Sequence, residues 1–597
     1  MNTRLLREAA ALVWRTRRVL IVTRVVLAVV AGAVPVAAAW LTKAVLDGIG
    51  HGGSLLPAAV GLALTGLVAV ILPRISVYAD AEHGRALTLS MKDRLYAAVD
   101  AIPGLAPFER PRFHDQLLLA AGSGPNGPAQ LISGALMIAQ AVLTLAGFVV
   151  ALIVIAPWMV LVVAAAALPG LRAELSLARR RASMMDDVNQ AGRREFFYAN
   201  LLSNPTAAKE IRLFGLGGLF RSRLLAQVRA ANADRARMDR ADVGSHLPPA
   251  LLGALAAGAG LVWAILSADA GRLTVGDVAV FLAAVAGTQS GLSSVLSGIG
   301  GTHQALLVFG TYQEVVTAPP EMITGTAELP PLHRGIELDD VWFRYADDQP
   351  WVLKGLSVTF RAGESTALVG LNGAGKSTIV KLLCRMYDPH RGSIRWDGVD
   401  LRDADPVSLR TRVTAVFQDF MAYELTAGEN IAVGDLSGWD DPARIGAAAV
   451  AAGADGFLRT LPHGYGTMLT RMYTSHVDRG DPSTGVMLSG GQWQRVAVAR
   501  ALMRSGRDLL ILDEPSAGLD AEAEYALHSS LRRLRGGRSS VLISHRLSAV
   551  RDADTIVVIA DGTVAEAGTH ATLTAADGVY ARLFAVQASG YLAEVSS

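Results

Sequence analysis

Thr366-Ala367-Leu368-Val369-Gly370-Leu371-Asn372-Gly373-Ala374-Gly375-Lys376-Ser377-Thr378-Ile379-Val380-Lys381-Leu382-Leu383 is the stretch on which the fold turns. A short strand-like run at 366–369 enters G-x-x-x-x-G-K-[ST], and an apolar-periodic helix opens at the far end. Strand, glycine loop and helix in that order are the context a phosphate-binding loop requires. Gly370, Gly373 and Gly375 let backbone N–H groups close around phosphate oxygens, and the helix N-terminus adds partial positive charge. Lys376 is placed to reach the β- and γ-phosphates, and the Ser377 hydroxyl to ligate Mg²⁺. Asn372 and Thr378 belong to the same expected ATP-contact set. Further on, Leu509-Leu510-Ile511-Leu512-Asp513-Glu514 is an apolar strand ending in two acids. A buried strand that ends in Asp puts the carboxylate at the edge of an α/β sheet where ligands bind. Asp513 is expected to hold Mg²⁺ and Glu514 to take a proton from an attacking water.

Outward from this core, the chain is too long for one domain. It has 597 residues, and single cores stop growing near ~250–300. The composition is 51% hydrophobic and 18% charged, below the ~25% charged of a typical soluble domain. Part of the chain is therefore expected in lipid. A net charge of +2 argues against a nucleic-acid binder held by a global positive field. The single cysteine, Cys384, cannot form an internal disulfide or a cysteine zinc site.

The apolar runs lie before residue 320. A spanning helix needs ~20 mostly apolar residues, and six windows qualify, near 19–45, 55–78, 131–155, 158–175, 249–267 and 275–296. The first is longer than the h-region of a signal peptide and is expected to stay in the chain. Arg24, near its end, is expected to snorkel to the interface. Basic residues such as Arg15, Arg17 and Arg18 before the first span, Arg85, Lys92 and Arg94 between the second and third, and Arg179–Arg181 between the fourth and fifth contrast with loops nearly free of them at 47–53 and 268–276. By the positive-inside rule, the N-terminus, both long loops and the C-terminal domain face the cytoplasm. The expected organisation is an all-α six-helix membrane domain with long cytoplasmic extensions (1–318), a Pro-rich linker (319–334) and an α/β domain built on the phosphate loop (335–597). In the sixth span Ser290, Ser294 and Ser297 share a helical face; small-residue helix packing is preferred there over a cargo wall.

Leu488-Ser489-Gly490-Gly491-Gln492, between the phosphate loop and the Asp513-Glu514 strand, closely resembles the signature of ATP-binding cassettes. The chain thus resembles a half-transporter of the ABC exporter type, and the resemblance covers essentially all of it. By that resemblance Tyr345 stacks on adenine, Gln418 links the metal site to the membrane domain, Ser516–Asp520 is a dimer-contact loop and His545 contacts the γ-phosphate. Catalysis is assigned to Glu514, His545 and Lys376, and the metal to Ser377, Gln418 and Asp513. Two cassettes dock head to tail in this family, each ATP lying between one phosphate loop and the partner's Ser489, Gly490, Gly491 and Gln492. The resemblance thus implies ATP and Mg²⁺ as cofactors, a second half-transporter chain (most simply a homodimer), a cell-membrane location and an unidentified peptide, lipid or drug cargo. Phe108–Asp115 and Asn204–Phe214 look like its coupling helices.

The departures are local. Asp478–Gly485 replaces the usual Gly-Glu-Arg-Gly-like loop, and Asp419–Glu424 after Gln418 is unusual. With Trp493 these resemble exporters found with modified peptides. An importer with exporter-like architecture, as for siderophores, or an ATP-regulated membrane protein that does not transport are the alternatives.

Overall fold

The computed structural model describes the whole chain except residues 1–2, 52–54, 123, 163, 166–168, 171, 173–191, 193, 471–484, 505, 517–520, 545 and 587–597. The chain divides into two units. One comprises Met1–Asp100 and Pro111–Ala318; the other comprises Ala101–Arg110 and Pro319–Ser597.

The first unit is helical. Among the described residues, five helices are long and apolar enough to cross a membrane. They are Arg18–His51, Leu56–Asp100, Gly127–Ile155, Gly217–Asp269 and Val275–Val316. They contain five of the six expected spans; much of the fourth, 158–175, lies outside the described residues. At 1.5 Å per residue, the 45-residue and 53-residue helices reach about 68 and 80 Å. The hydrocarbon core of a bilayer is only about 30 Å thick. Their polar remainders extend beyond the length a bilayer accommodates; Arg179–Arg181 lie outside the described residues.

Small residues set the packing. A Cβ at Gly287 would fall 2.1 Å from the Phe148 ring, one at Gly298 2.6 Å from Ile138, and one at Gly134 2.4 Å from the Thr302 hydroxyl. Helices Gly127–Ile155 and Val275–Val316 approach this closely because lipid offers no hydrophobic drive, so backbone proximity must supply the attraction. The buried face of the last helix runs through Phe281, Ala284, Thr288, Gly291 and Gly298. Ser290 and Ser297 are exposed on this chain and Ser294 is half-buried, so the serine stripe lies away from the buried face of this helix within one chain. Arg24 is also corrected: its side chain is only 7% exposed, pairs with Asp80 and donates to Ser133 Oγ at 3.0 Å. A carboxylate on the neighbouring helix makes burial cheaper than snorkelling.

The second unit is an α/β domain. Among its described residues β1 (Gly335–Phe343), β2 (Leu353–Arg361), β4 (Arg391–Trp396) and β5 (Val399–Asp400) form an antiparallel sheet of order β2-β1-β4-β5. A second sheet has the order β10-β9-β3-β8-β7-β6. It uses β3 (Ser365–Val369), β6 (Val413–Val416), β7 (Leu509–Asp513), β8 (Ser539–Ile543), β9 (Thr555–Ala560) and β10 (Thr563–Gly568). Its central pairings are parallel, so both faces are covered and strands such as β7 and β9 are largely buried, which is why they read as near-continuous apolar runs. Between the sheets lies a core of Phe343, Phe360, Ile379, Leu383, Trp396 and Ile511. Cys384 sits in it, its thiol pushed up to about 12 by burial, an inert packing residue.

Two segments outside the sheets belong to this unit. In 319–334, Leu329 is buried and its N–H bonds Ser408 Oγ at 2.9 Å, while Pro330 O accepts from Trp396 Nε1 at 3.0 Å. In Ala101–Arg110, Leu105 and Ala106 pack on the core, Leu105 N–H donates to Met386 O at 3.0 Å, and the Arg410 guanidinium bonds Pro103 O. The docked segment thus overlaps the expected Phe108–Asp115 only at its end. From Pro111 the chain has already entered a helix, Pro111–Gly122, of the first unit.

Trp396→Ala removes a fully buried indole and its bond to Pro330. It is expected to cost about 3–5 kcal/mol, read as a lowered melting transition of the soluble unit in detergent; an unchanged transition would contradict this packing.

Candidate functional site

β3 delivers the chain into the loop 370–375. A Cβ at Gly370 would lie 2.2 Å from Ile559 O, so the backbone passes β9 too closely for any side chain. Gly375 has φ +104 and caps the helix Lys376–Leu383; its Cβ would meet Leu353 at 2.6 Å. The first N–H groups of a helix have no partner within the helix itself, and here that helix start lines the pocket.

Lys376 is buried, and its Nζ donates to Gly370 O at 2.8 Å and Leu371 O at 2.9 Å. Burial lowers its pKa, partly offset by the carboxylates of Glu514 and Asp513. The ammonium thus lies buried beside the loop carbonyls, with its charge disfavoured by desolvation.

β7 ends at Asp513 on the same sheet edge. The residue is 3% exposed, and its Oδ1 has no hydrogen-bond partner among the described residues. Burial pushes its carboxyl above the usual range, opposed by the Ser377 hydroxyl. Glu514 follows with φ +51, a left-handed conformation that costs a non-glycine residue about 1–3 kcal/mol. Three bonds hold it: its N–H to Ile543 O at 2.9 Å, Gln418 Nε2 to its Oε2 at 3.0 Å, and Gln494 Nε2 to its carbonyl at 3.1 Å. The kink turns the carboxylate into the pocket instead of along the strand. Gln494 was not singled out from the sequence, although it lies two residues past Gln492 on the helix Gly490–Leu502.

Tyr345 stands just past β1. Its hydroxyl is 3.0 Å from Thr378 Oγ1, and its ring meets Phe343 and Tyr387 edge-on at 5.1 and 5.6 Å. Together Tyr345, Asn372, Gly373, Gly375, Lys376, Ser377, Thr378, Gln418 and Glu514 line one open pocket of about 590 Å³, within the range of small-molecule sites. An aromatic ring, a glycine loop with its lysine, and the Glu514 carboxylate in one pocket, with Asp513 just before Glu514 at the end of β7, suit a base, a chain of phosphates and a cation respectively.

Ser489, Gly490, Gly491 and Gln492 are not among the lining residues. Ser489 caps the helix Gly490–Leu502 in a reciprocal pair with Gln492: its backbone N–H donates to Gln492 Oε1 at 2.9 Å, and Gln492 N–H to its Oγ at 3.3 Å. Ser489 and Gly490 are exposed. His545 and Ala517–Asp520 lie outside the described residues, as does most of the loop Asp478–Gly485.

The comparisons agree with this geometry. Residues 353–517 match the family model described as ABC transporter. A lipid A-core flippase described as ATP-dependent, from Alkalilimnicola ehrlichii, is 36% identical over 64% of this chain and 62% of its own. The cyclolysin secretion/processing ATP-binding protein CyaB of Bordetella pertussis is 41% identical over 46% of this chain and 36% of its own. A mitochondrial potassium channel ATP-binding subunit from Xenopus tropicalis is 39% identical over 52% and 44% respectively. These matches span less than two thirds of each relative. A solved bacterial Atm1-family ABC exporter with ATP bound superposes with a TM-score of 0.81 at 25% identity, over 96% of this chain and 98% of that one. The second unit, with its phosphate loop, acid-ended strand and signature helix, matches the ABC transporter family model over 353–517, and the chain as a whole, a helical unit followed by this cassette, is similar to half-transporters of the ABC exporter type.

Proposed function

We propose that this chain hydrolyses ATP to drive export of a peptide or another amphipathic compound, working as a dimer in the cell membrane. The observation that carries the reading is the convergence of Lys376, Gln418, Glu514 and Tyr345 on one pocket in a chain whose other unit has membrane-length helices.

In this reading the base meets Tyr345 and the phosphates lie along the loop 370–375 under Lys376. Glu514, oriented by Gln418, accepts a proton from water as the water oxygen bonds the γ-phosphorus and the bond to the ADP oxygen breaks. Lys376 spreads the negative charge that develops on the phosphoryl oxygens. The residues present fit a magnesium ion: Asp513 holds a buried oxygen with no partner among the described residues, the Ser377 hydroxyl interacts with the same carboxylate, and Gln418 bonds the adjacent Glu514. Such an ion, when bound, neutralises phosphate charge. His545 is assigned to the γ-phosphate by resemblance.

The exposed Ser489–Gly491 turn supports the dimer, since it lies off its own pocket and presents a helix N-terminus fit for the phosphate of a second chain. The orientation proposed is that of the basic loops, with the cassette in the cytoplasm. Relatives described as a lipid flippase and a secretion protein, together with the resemblance to modified-peptide exporters, favour a bulky amphipathic cargo. ATP-gated regulation without transport is the second reading, favoured by the relative described as a potassium-channel ATP-binding subunit.

The test is ATPase activity in lipid nanodiscs with panels of peptides, lipids and hydrophobic drugs. Stimulation by one class supports transport and names the cargo type; ATP turnover indifferent to all of them favours regulation. Glu514→Gln is expected to keep ATP binding and lose turnover by ~10²–10⁴-fold; near wild-type turnover would remove Glu514 from the role. Lys376→Ala is expected to weaken ATP binding by about tenfold or more, the scale of a charge-assisted contact, as measured by equilibrium binding. Chelating Mg²⁺ with EDTA is expected to abolish turnover, and activity that survives it would contradict the metal assignment.

A further inference from the structure

The helix Lys376–Leu383 carries more than the phosphate site. Lys376 and Ser377 face the pocket at its start, and Thr378 reaches the Tyr345 hydroxyl at 3.0 Å. Lys381, one turn beyond Thr378, is not among the residues lining the pocket. Its Nζ instead lies 5.0 Å from the centroid of the Tyr345 ring and 5.8 Å from that of Tyr387. It also donates to Glu109 Oε1 at 3.2 Å. Glu109 belongs to the segment 101–110, which Leu105, Pro103 and Arg110 fasten to the same unit, the last by its ion pair with Glu321 at 2.5 Å. Burial opposes the charge on Lys381, but the surrounding tyrosines and the Glu109 carboxylate outweigh it, so the residue stays cationic.

The Tyr345 ring is held by its hydroxyl and by edge-on contacts with Phe343 and Tyr387. A cation over the ring adds a further restraint through attraction to the π-face. The base-stacking surface of Tyr345 is thereby set by a side chain that does not reach the nucleotide.

Resting on the reading of this pocket as an ATP site, we propose that Lys381 is a positioning residue: it holds Tyr345 in the orientation that receives the adenine, and Glu109 holds Lys381. A segment distant in sequence but part of the same unit thus takes part in base binding, through a contact between residues 272 positions apart.

The test compares wild type, Lys381→Met, Lys381→Arg, Glu109→Gln and the double variant Lys381→Met/Glu109→Gln in nanodiscs. The readouts are KM and kcat for ATP, and inhibition by tripolyphosphate, which has phosphates and no base. Lys381→Met is expected to raise the KM for ATP by about threefold to tenfold, the scale of one partly desolvated cation–π contact, with kcat changed much less. Tripolyphosphate inhibition should stay within about twofold, and Lys381→Arg should restore the KM. Glu109→Gln should shift KM in the same direction, and the double variant should be no worse than Lys381→Met, because both act through one contact. An unchanged KM for ATP in both single variants, with wild type hydrolysing ATP normally, would overturn this inference alone. Equal weakening toward ATP and tripolyphosphate would also overturn it, since that marks a phosphate or structural role. If wild type neither binds nor hydrolyses ATP, both this inference and the function proposed above fall.

Discussion

Everything in the soluble unit depends on one steric constraint, the passage of the backbone at Gly370 within a Cβ's breadth of β9. That approach lets the loop curl tightly enough for its N–H groups to converge, and it fixes where the helix Lys376–Leu383 begins. From that start the rest follows by register. Lys376 falls over the loop, Ser377 beside Asp513, Thr378 under Tyr345 and Lys381 beside Glu109. The sheet adds the complementary side, because β3, β8 and β7 lie next to one another and end at the same edge.

The membrane unit obeys a different constraint. In hydrocarbon every backbone polar group must find a partner inside the protein, so the chain there is helical and its helices approach through glycine. The buried pairing of Arg24 with Asp80 follows the same rule for side chains: a charge removed from water keeps its place only with a partner.

Legibility in the sequence tracked the range of the interaction. The strand–loop–helix around Gly370, the acid-ended strand at Asp513 and the signature at Ser489 are local patterns, and each is found where its pattern put it. The long helices were legible as apolar windows, but not their full reach, since helix termini in polar sequence carry weak signals. Contacts between distant residues were not legible. Lys381 reads as an ordinary solvated lysine until Glu109 is brought beside it, and Gln494 as a helix residue until its amide meets the Glu514 carbonyl. The segment 101–110 is anchored by the apolar Leu105 and Ala106, which no local pattern marks, and it shares only Phe108–Arg110 with the expected Phe108–Asp115. For the serine face of the last span, periodicity identifies a face but not what lies against it.

The central claim is that a working ATP site joins the phosphate loop of one chain to the Ser489–Gly491 turn of another. Mixing a Lys376→Ala chain with a Ser489→Arg chain in the same nanodiscs tests it most directly. Each variant alone lacks one half of every site and should be inactive, whereas the mixed dimer keeps one site with both halves intact. The account predicts that the mixture regains a fraction of wild-type ATPase activity; a mixture as inactive as either variant alone would contradict it.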